Sequence, residues 1–162
     1  MTMINDRADA IRRIISSIVL VAALALIGCA SVEAEPQSRS LAAPTPADVA
    51  LVIKGDSDGQ NVTAKVGTTI AVELVGVPTA GYMWAPVATP AFLEAAGVYG
   101  GQTSSAQLEP GFAGGNHWEA FLFKVTQAGE GEFRFEQRRP WEDASEAPVS
   151  VFSVYLFAED GK

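Results

Sequence analysis

The sequence predicts an all-β domain over residues 49–162, an immunoglobulin-like antiparallel β-sandwich of about seven strands. Short runs rich in Val, Ile, Phe and Tyr recur between Gly and Pro turns at the spacing of a sandwich. No convincing helical period is present beyond a short helical turn at residues 90–96. In the later runs apolar and polar residues alternate with period two, the pattern of strands that bury one face.

The first strand, 50–54, is centred on Leu51, Val52 and Ile53, and the second, 68–75, carries Ile70, Val72 and Leu74. The third, 82–87, holds Trp84, read as a core tryptophan between the sheets, and the fourth is placed at 104–108. In the fifth, 118–126, Phe121, Phe123 and Val125 share a face; in the sixth, 131–138, Phe133 and Phe135 do so. The seventh, 149–158, aligns Phe152, Val154 and Leu156. These side chains, with Val72, Leu74 and Trp84, form the expected core. By the same alternation Trp118 points away from Phe121, toward either the outer face of its sheet or the edge beside Gly115.

Ahead of this domain stand two segments of different composition. Arg7, Arg12 and Arg13 precede an apolar stretch from Ile14 to Gly28, the n-region and h-region of an export signal. At about fifteen residues the stretch falls short of the roughly twenty that span a bilayer as a helix. It ends Leu26-Ile27-Gly28-Cys29-Ala30, which resembles a bacterial lipobox. That resemblance implies cleavage before Cys29, lipidation of Cys29 and a membrane tether in a bacterial envelope; Ala30 in place of Asp points to the outer membrane, facing the periplasm. A plain signal peptide or an uncleaved anchor would export the chain equally. Residues 29–48, rich in Ala, Pro, Ser, Thr and Glu, read as a flexible spacer.

Composition excludes several functions. The net charge of the 162 residues is −8, and −9 once residues 1–28, with Arg7, Arg12, Arg13, Asp6 and Asp9, are removed. With no basic run, the chain carries no nucleic-acid surface. One cysteine and one histidine, Cys29 and His117, rule out disulfide frameworks and Cys/His zinc sites. No serine sits in a nucleophile-elbow context, so a hydrolase triad lacks its parts. His117 reads as a polar residue opening a strand. Asp56, Asp58 and Gly59 read as a turn, because calcium-loop spacing does not continue past them. No cofactor or metal is expected, and the domain is expected to be monomeric.

Three loops depart from ordinary turn chemistry: residues 76–81, residues 109–116 and residues 138–143. In a mostly antiparallel sandwich alternate turns share one end, so the three converge there. Pro78 and Pro140 fix backbone, while Gly81, Gly114 and Gly115 admit conformations and close approaches that a β-carbon blocks. Trp141, just after Pro140 and among polar residues, has no strand position from which to reach the core and is expected to be exposed.

In this order the loops resemble those of the chagasin family of cysteine-peptidase inhibitors, which carry Asn-Pro-Thr-Thr-Gly, then Gly-x-Gly-Gly, then Arg-Pro-Trp. Residues 77–84 keep the proline, the first threonine, the glycine and the Tyr-x-Trp continuation; Val77 replaces the asparagine and Ala80 the second threonine. The second motif falls on Phe112, Ala113, Gly114 and Gly115, with Phe112 where the first glycine is usual, or with Gly111 serving as that glycine in a loop one residue longer. Arg139, Pro140 and Trp141 match the third fully, and residues 152–156 resemble the family's last strand. The resemblance implies a reversible, non-covalent inhibitor of papain-like cysteine peptidases. Pro78, Thr79, Ala80 and Gly81 would lie over the catalytic Cys-His pair of the enzyme, with Thr79 nearest. Phe112 to Gly115 would line one flank of the cleft, and Arg139, Pro140 and Trp141 the other. Val77 offers no side-chain hydrogen bond to brace its loop. The alternative reading is a non-inhibitory immunoglobulin-like envelope module for adhesion or assembly, which would leave peptidases untouched.

Overall fold

The structure, a computed structural model, describes residues 38–161. The segment expected to be an export signal, Cys29 and the first part of the expected spacer lie outside the described residues. Among the described residues eight strands form two four-stranded sheets that pack face to face. In the first sheet the order is β1 (Leu51–Lys54), β3 (Thr69–Gly76), β6 (His117–Val125) and β5 (Leu93–Gln102). The second runs β2 (Asn61–Lys65), β8 (Ser150–Glu159), β7 (Gly129–Arg138) and β4 (Met83–Ala88). Pairing is antiparallel except at β1 with β3 and β2 with β8, which are parallel.

The expected count of about seven strands is thus eight, and two placements change. Residues 104–108 are not a strand: Ser105–Leu108 form a 3-10 turn. Residues 90–96 are not helical, because β5 begins at Leu93 and follows β6 for ten residues, with a bulge between Ala95 and Gly97. Both β5 and the unforeseen β2 are edge strands with few large apolar residues. Their backbone finds its partners on β6 and β8, and that pairing overrides weak local propensity.

The core is the expected one. Phe121, Phe123, Val125, Phe133, Phe135, Phe152, Val154, Leu156, Val72 and Leu74 are all buried, joined by Ile53, Ile70 and Phe92. Phe135 lies at the centre of an aromatic cluster, with ring centroids 4.8 Å from Phe133, 5.1 Å from Phe121, 6.3 Å from Phe152 and 6.4 Å from Phe123. Trp84 differs from expectation. It is half-buried at the rim of the core, because β4 is an edge strand, and its Nε1–H donates to the Val75 carbonyl at 3.0 Å.

Residues 39–45, read from the sequence as the end of a flexible spacer, are instead docked on the outer face of the first sheet. Leu41 N–H donates to Thr103 O, Ser105 N–H to Arg39 O, and Arg39 N–H to Ser105 Oγ, at 2.8, 2.8 and 2.9 Å. Thr45 Oγ1 donates to Glu73 Oε1 at 2.6 Å, and Pro44 sits against Gly101. Trp118 lies on this outer face, where its indole N–H donates to the Leu41 carbonyl at 2.8 Å. Ala71, Ala120 and Leu122, on the same face, are buried. The spacer composition hides this because the attachment uses backbone groups, which any residue supplies. Replacing Trp118 by phenylalanine keeps the ring but leaves the Leu41 carbonyl without its donor. A loss of about 1 kcal/mol is expected in urea denaturation, with faster amide exchange at Leu41.

Candidate functional site

Strand register places the three unusual loops at one end. Gly76 closes β3 opposite His117, the first residue of β6, and Gln102 closes β5 opposite the same residue. Met83 opens β4 opposite Arg138, the last residue of β7, while Gln137 pairs with Ser150 at the start of β8. The connections 77–82, 103–116 and 139–149 therefore leave the sandwich together, following β3, β5 and β7.

The first loop is braced by main chain. Val77 and Tyr82 exchange N–H···O bonds of 2.8 and 3.1 Å, and inside that bridge Pro78–Ala80 form a 3-10 turn. Ala80 N–H donates to Val77 O at 3.0 Å and Gly81 N–H to Pro78 O at 2.9 Å. Gly81 ends the turn at φ 82°, where side-chain-bearing residues are strained. The bracing expected of an asparagine side chain at position 77 is thus supplied by the backbone. Pro78, Thr79 and Ala80 are exposed at the tip.

The third loop is stitched to the first. Arg139 Nε–H donates to the Ala80 carbonyl at 2.9 Å, its guanidinium lies 4.3 Å from the Tyr82 ring centroid, and it pairs with Glu142 at 3.2 Å. Arg139 is therefore turned inward between the loops, with Pro140 exposed beside it. The far edge of the Trp141 indole packs on Gly81, where a Cβ would clash with Cη2 and Cζ2, yet Trp141 remains 71% exposed. At the base of this loop Glu136 pairs with Arg134 at 2.9 Å and Arg138 at 2.8 Å, and Arg138 donates to the Glu146 carbonyl. The Arg138 hydrogen bond, with help from Arg134, holds the Glu136 carboxyl below its ordinary range.

In the second loop Phe112, Ala113, Gly114 and Gly115 are all exposed, with Phe112 at 47%. Gly114 and Gly115 both have positive φ, 87° and 97°. The side chain of Gln107 spans the base of this loop, a feature missed when residues 104–108 were read as a strand. The signal was present in the sequence: Ser104 followed three residues later by Gln107 is a capping-box pattern.

Glu119 was also missed. It points between the sheets below the first loop, where Oε2 accepts the Trp84 N–H at 3.1 Å and Oε1 is buried without a partner. Gly76 leaves the room this carboxyl occupies. Burial pushes the Glu119 carboxyl up, partly offset by the Trp84 hydrogen bond. A raised carboxyl means that the folded state holds the proton more tightly than the unfolded state, so stability falls as pH rises through the window above the ordinary carboxylate range. Glu119→Gln, which cannot ionise, is expected to exceed the parent in stability at pH 8, with the difference shrinking toward pH 4. Urea denaturation across that range measures it, and a variant that loses stability most at high pH would contradict the burial argument.

Among the described residues no group of His, Cys, Asp and Glu could hold a metal ion. What the three loops form is a partly apolar, pre-shaped edge.

Residues 63–156, more than half of the chain, match the family described as "Chagasin family peptidase inhibitor I42". Among solved structures, the chain is similar to the cysteine protease inhibitor EhICP2 from Entamoeba histolytica, at 15% identity over 67% of this chain and 96% of that one, with a TM-score of 0.57. It is similar also to amebosin in its solution structure, at 24% identity over 67% and 97% of the two chains, with a TM-score of 0.52. At these identities the likeness is one of fold, and it agrees with the immunoglobulin-like sandwich. No curated protein matches the chain. The family consists of inhibitors and not of enzymes. On the family match, the chain belongs to the chagasin family of peptidase inhibitors.

Proposed function

We propose that this protein is a reversible inhibitor of papain-like cysteine peptidases that occludes the active-site cleft with the three loops at one end of its sandwich. The reading is carried by one observation: the exposed tip Pro78 to Ala80 stands beside an exposed tryptophan, Trp141, and the two are fixed to each other through Arg139 and Gly81. A surface shaped before it meets its partner has little ordering to lose on binding, which favours tight association over a protease–inhibitor interface of roughly 1,600 Å². Thr79 would lie nearest the catalytic Cys-His pair of the enzyme, with Phe112 to Gly115 along one flank and Trp141 along the other. Arg139 acts here by holding the first and third loops in register. The interaction needs no covalent step, and the enzyme supplies the only reactive thiol. Cys29, lipidated after signal cleavage, would tether the inhibitor to the outer membrane on its periplasmic side.

The test is titration of papain and of a cathepsin-L-like peptidase with the protein. Inhibition that is competitive with substrate and reversed by dilution is expected. A folded protein that leaves both enzymes unaffected at micromolar concentration would overturn the reading in favour of an adhesion or assembly module. Release of the protein from membranes by detergent but not by salt, together with incorporation of labelled fatty acid that is lost in Cys29→Ser, tests the anchor.

A further inference from the structure

The second loop leaves β5 and enters β6 through one side chain. Gln107 Oε1 accepts the backbone N–H of Thr103 at 2.7 Å, the backbone N–H of Ser104 at 3.0 Å and the hydroxyl of Thr103 at 3.1 Å. Its Nε2 donates to the Asn116 carbonyl at 2.7 Å. One carboxamide thus joins the residues on both sides of the loop, 103–104 before it and Asn116 after it. The glycine at 115 is part of the same arrangement, because a Cβ there would stand 2.6 Å from Gln107 Nε2. Phe112 closes over this spot, 3.3 Å from the same Cβ position. The docked residues 39–41 hold the clamp from outside: Leu41 N–H donates to Thr103 O, Ser105 N–H to Arg39 O, and Arg39 N–H to Ser105 Oγ. This segment lies outside residues 63–156 that match the family.

We infer that Gln107 is a positioning residue for the second loop, clamping its two ends so that Phe112 to Gly115 hold one shape before a partner arrives, with residues 39–41 locking the clamp. The inference rests on the inhibitor reading for what the loop touches, but not for the clamp itself. Backbone N–H and C=O groups at the base of an exposed 14-residue connection otherwise turn to water, and the loop samples many shapes. Gln107 satisfies two donors and one acceptor there at once.

The experiment uses the full-length chain in detergent, with two variants and two readouts. In Gln107→Ala, amide exchange of the free protein is expected to quicken about tenfold or more at Thr103, Ser104 and Phe112, whose N–H groups are bonded in the clamped loop, while β6 and β7 stay unchanged. Association with papain should slow by about tenfold, because fewer encounters find the loop in shape. Gln107→Glu retains the acceptor for Thr103 and Ser104 but loses the donor to Asn116. Protection at 103 and 104 should therefore survive, while the Phe112 amide, which donates to the Glu109 carbonyl within the loop, exchanges faster, an outcome that simple loss of packing does not produce. Unchanged exchange in Gln107→Ala overturns the clamp. Faster exchange with unaltered association overturns its role in positioning the loop for the enzyme. If the parent chain fails to inhibit papain, the inhibitor reading fails, and the exchange pattern of the free protein still decides the clamp. Should Gln107→Ala not fold, the split in Gln107→Glu decides it.

Discussion

Replacing Trp141 by alanine is expected to raise the inhibition constant against papain by about 30-fold or more, the consequence of losing about 2 kcal/mol at an aromatic hot spot. The ring is suited to that role by position. The far edge of the ring rests on Gly81, so the indole is held beside the tip Pro78 to Ala80, and 71% of the residue remains available to a partner. A side chain already immobilised has less rotamer freedom to lose on binding. Its contribution to the free protein is small for the same reason: little of it is removed from water, and its neighbours Arg139 and Tyr82 keep their own contacts. The melting temperature of Trp141→Ala should therefore stay within a few degrees of the parent. An inhibition constant within threefold of the parent, in a folded variant, would place the contact surface elsewhere. Trp141→Phe should recover only part of the loss, since Gly81 is met by the far end of the indole (Cη2, Cζ2 and Cζ3), which a phenyl ring does not reach.

Phe135→Ala is expected to have the opposite profile, costing about 3–5 kcal/mol of stability. Phe135 is fully buried and stands within 6.4 Å, centroid to centroid, of four other phenylalanines drawn from both sheets. Truncating it opens a cavity at the one place where β6, β7 and β8 all contribute rings, and the rigid sheet frames cannot close over it. Natural domains retain only about 5–15 kcal/mol in total, so this variant should be substantially unfolded at modest urea concentrations. What remains folded should inhibit as the parent does, because the ring lies below the loops and not among them. A loss under about 1.5 kcal/mol would mean that the cluster repacks, and Phe135→Leu, which keeps an apolar side chain but removes the ring, gives an intermediate point for that comparison. Together the two variants separate stability from binding: one residue nearly all outside, the other wholly inside.

Much of this was legible in the sequence because it rests on local pattern. Period-two alternation in residues 121–125, 133–135 and 152–156 assigned the core phenylalanines to their faces before any contact was known, and the structure buries every one of them. The proline and glycine punctuation marked the three loops. Alternating strand direction brought them to one end even though the strand count was short by one. Where the reading failed, the deciding partner was distant in sequence. Residues 61–65 are a strand because β8, some ninety residues later, offers a parallel edge. The stretch 104–108, with its mixed composition, became a 3-10 turn because Gln107 could reach Asn116. The proline-rich segment read as spacer docks because Thr103, Ser105 and Trp118 present hydrogen-bonding groups to its backbone.

By itself, then, the sequence determined the fold class, the buried face of each long strand, the three loops and the family they resemble. All of these follow from residue type and short-range spacing, which the chain carries in one dimension. The tertiary structure alone decided that Arg139 turns inward to hold the first loop, that Trp141 rests on Gly81, that Glu119 lies buried beneath the hairpin and that residues 39–45 belong to the folded unit. Each is a pairing between groups dozens of residues apart, or a choice between facing inward and outward within a loop. No periodicity constrains such choices, and only the packed chain settles them.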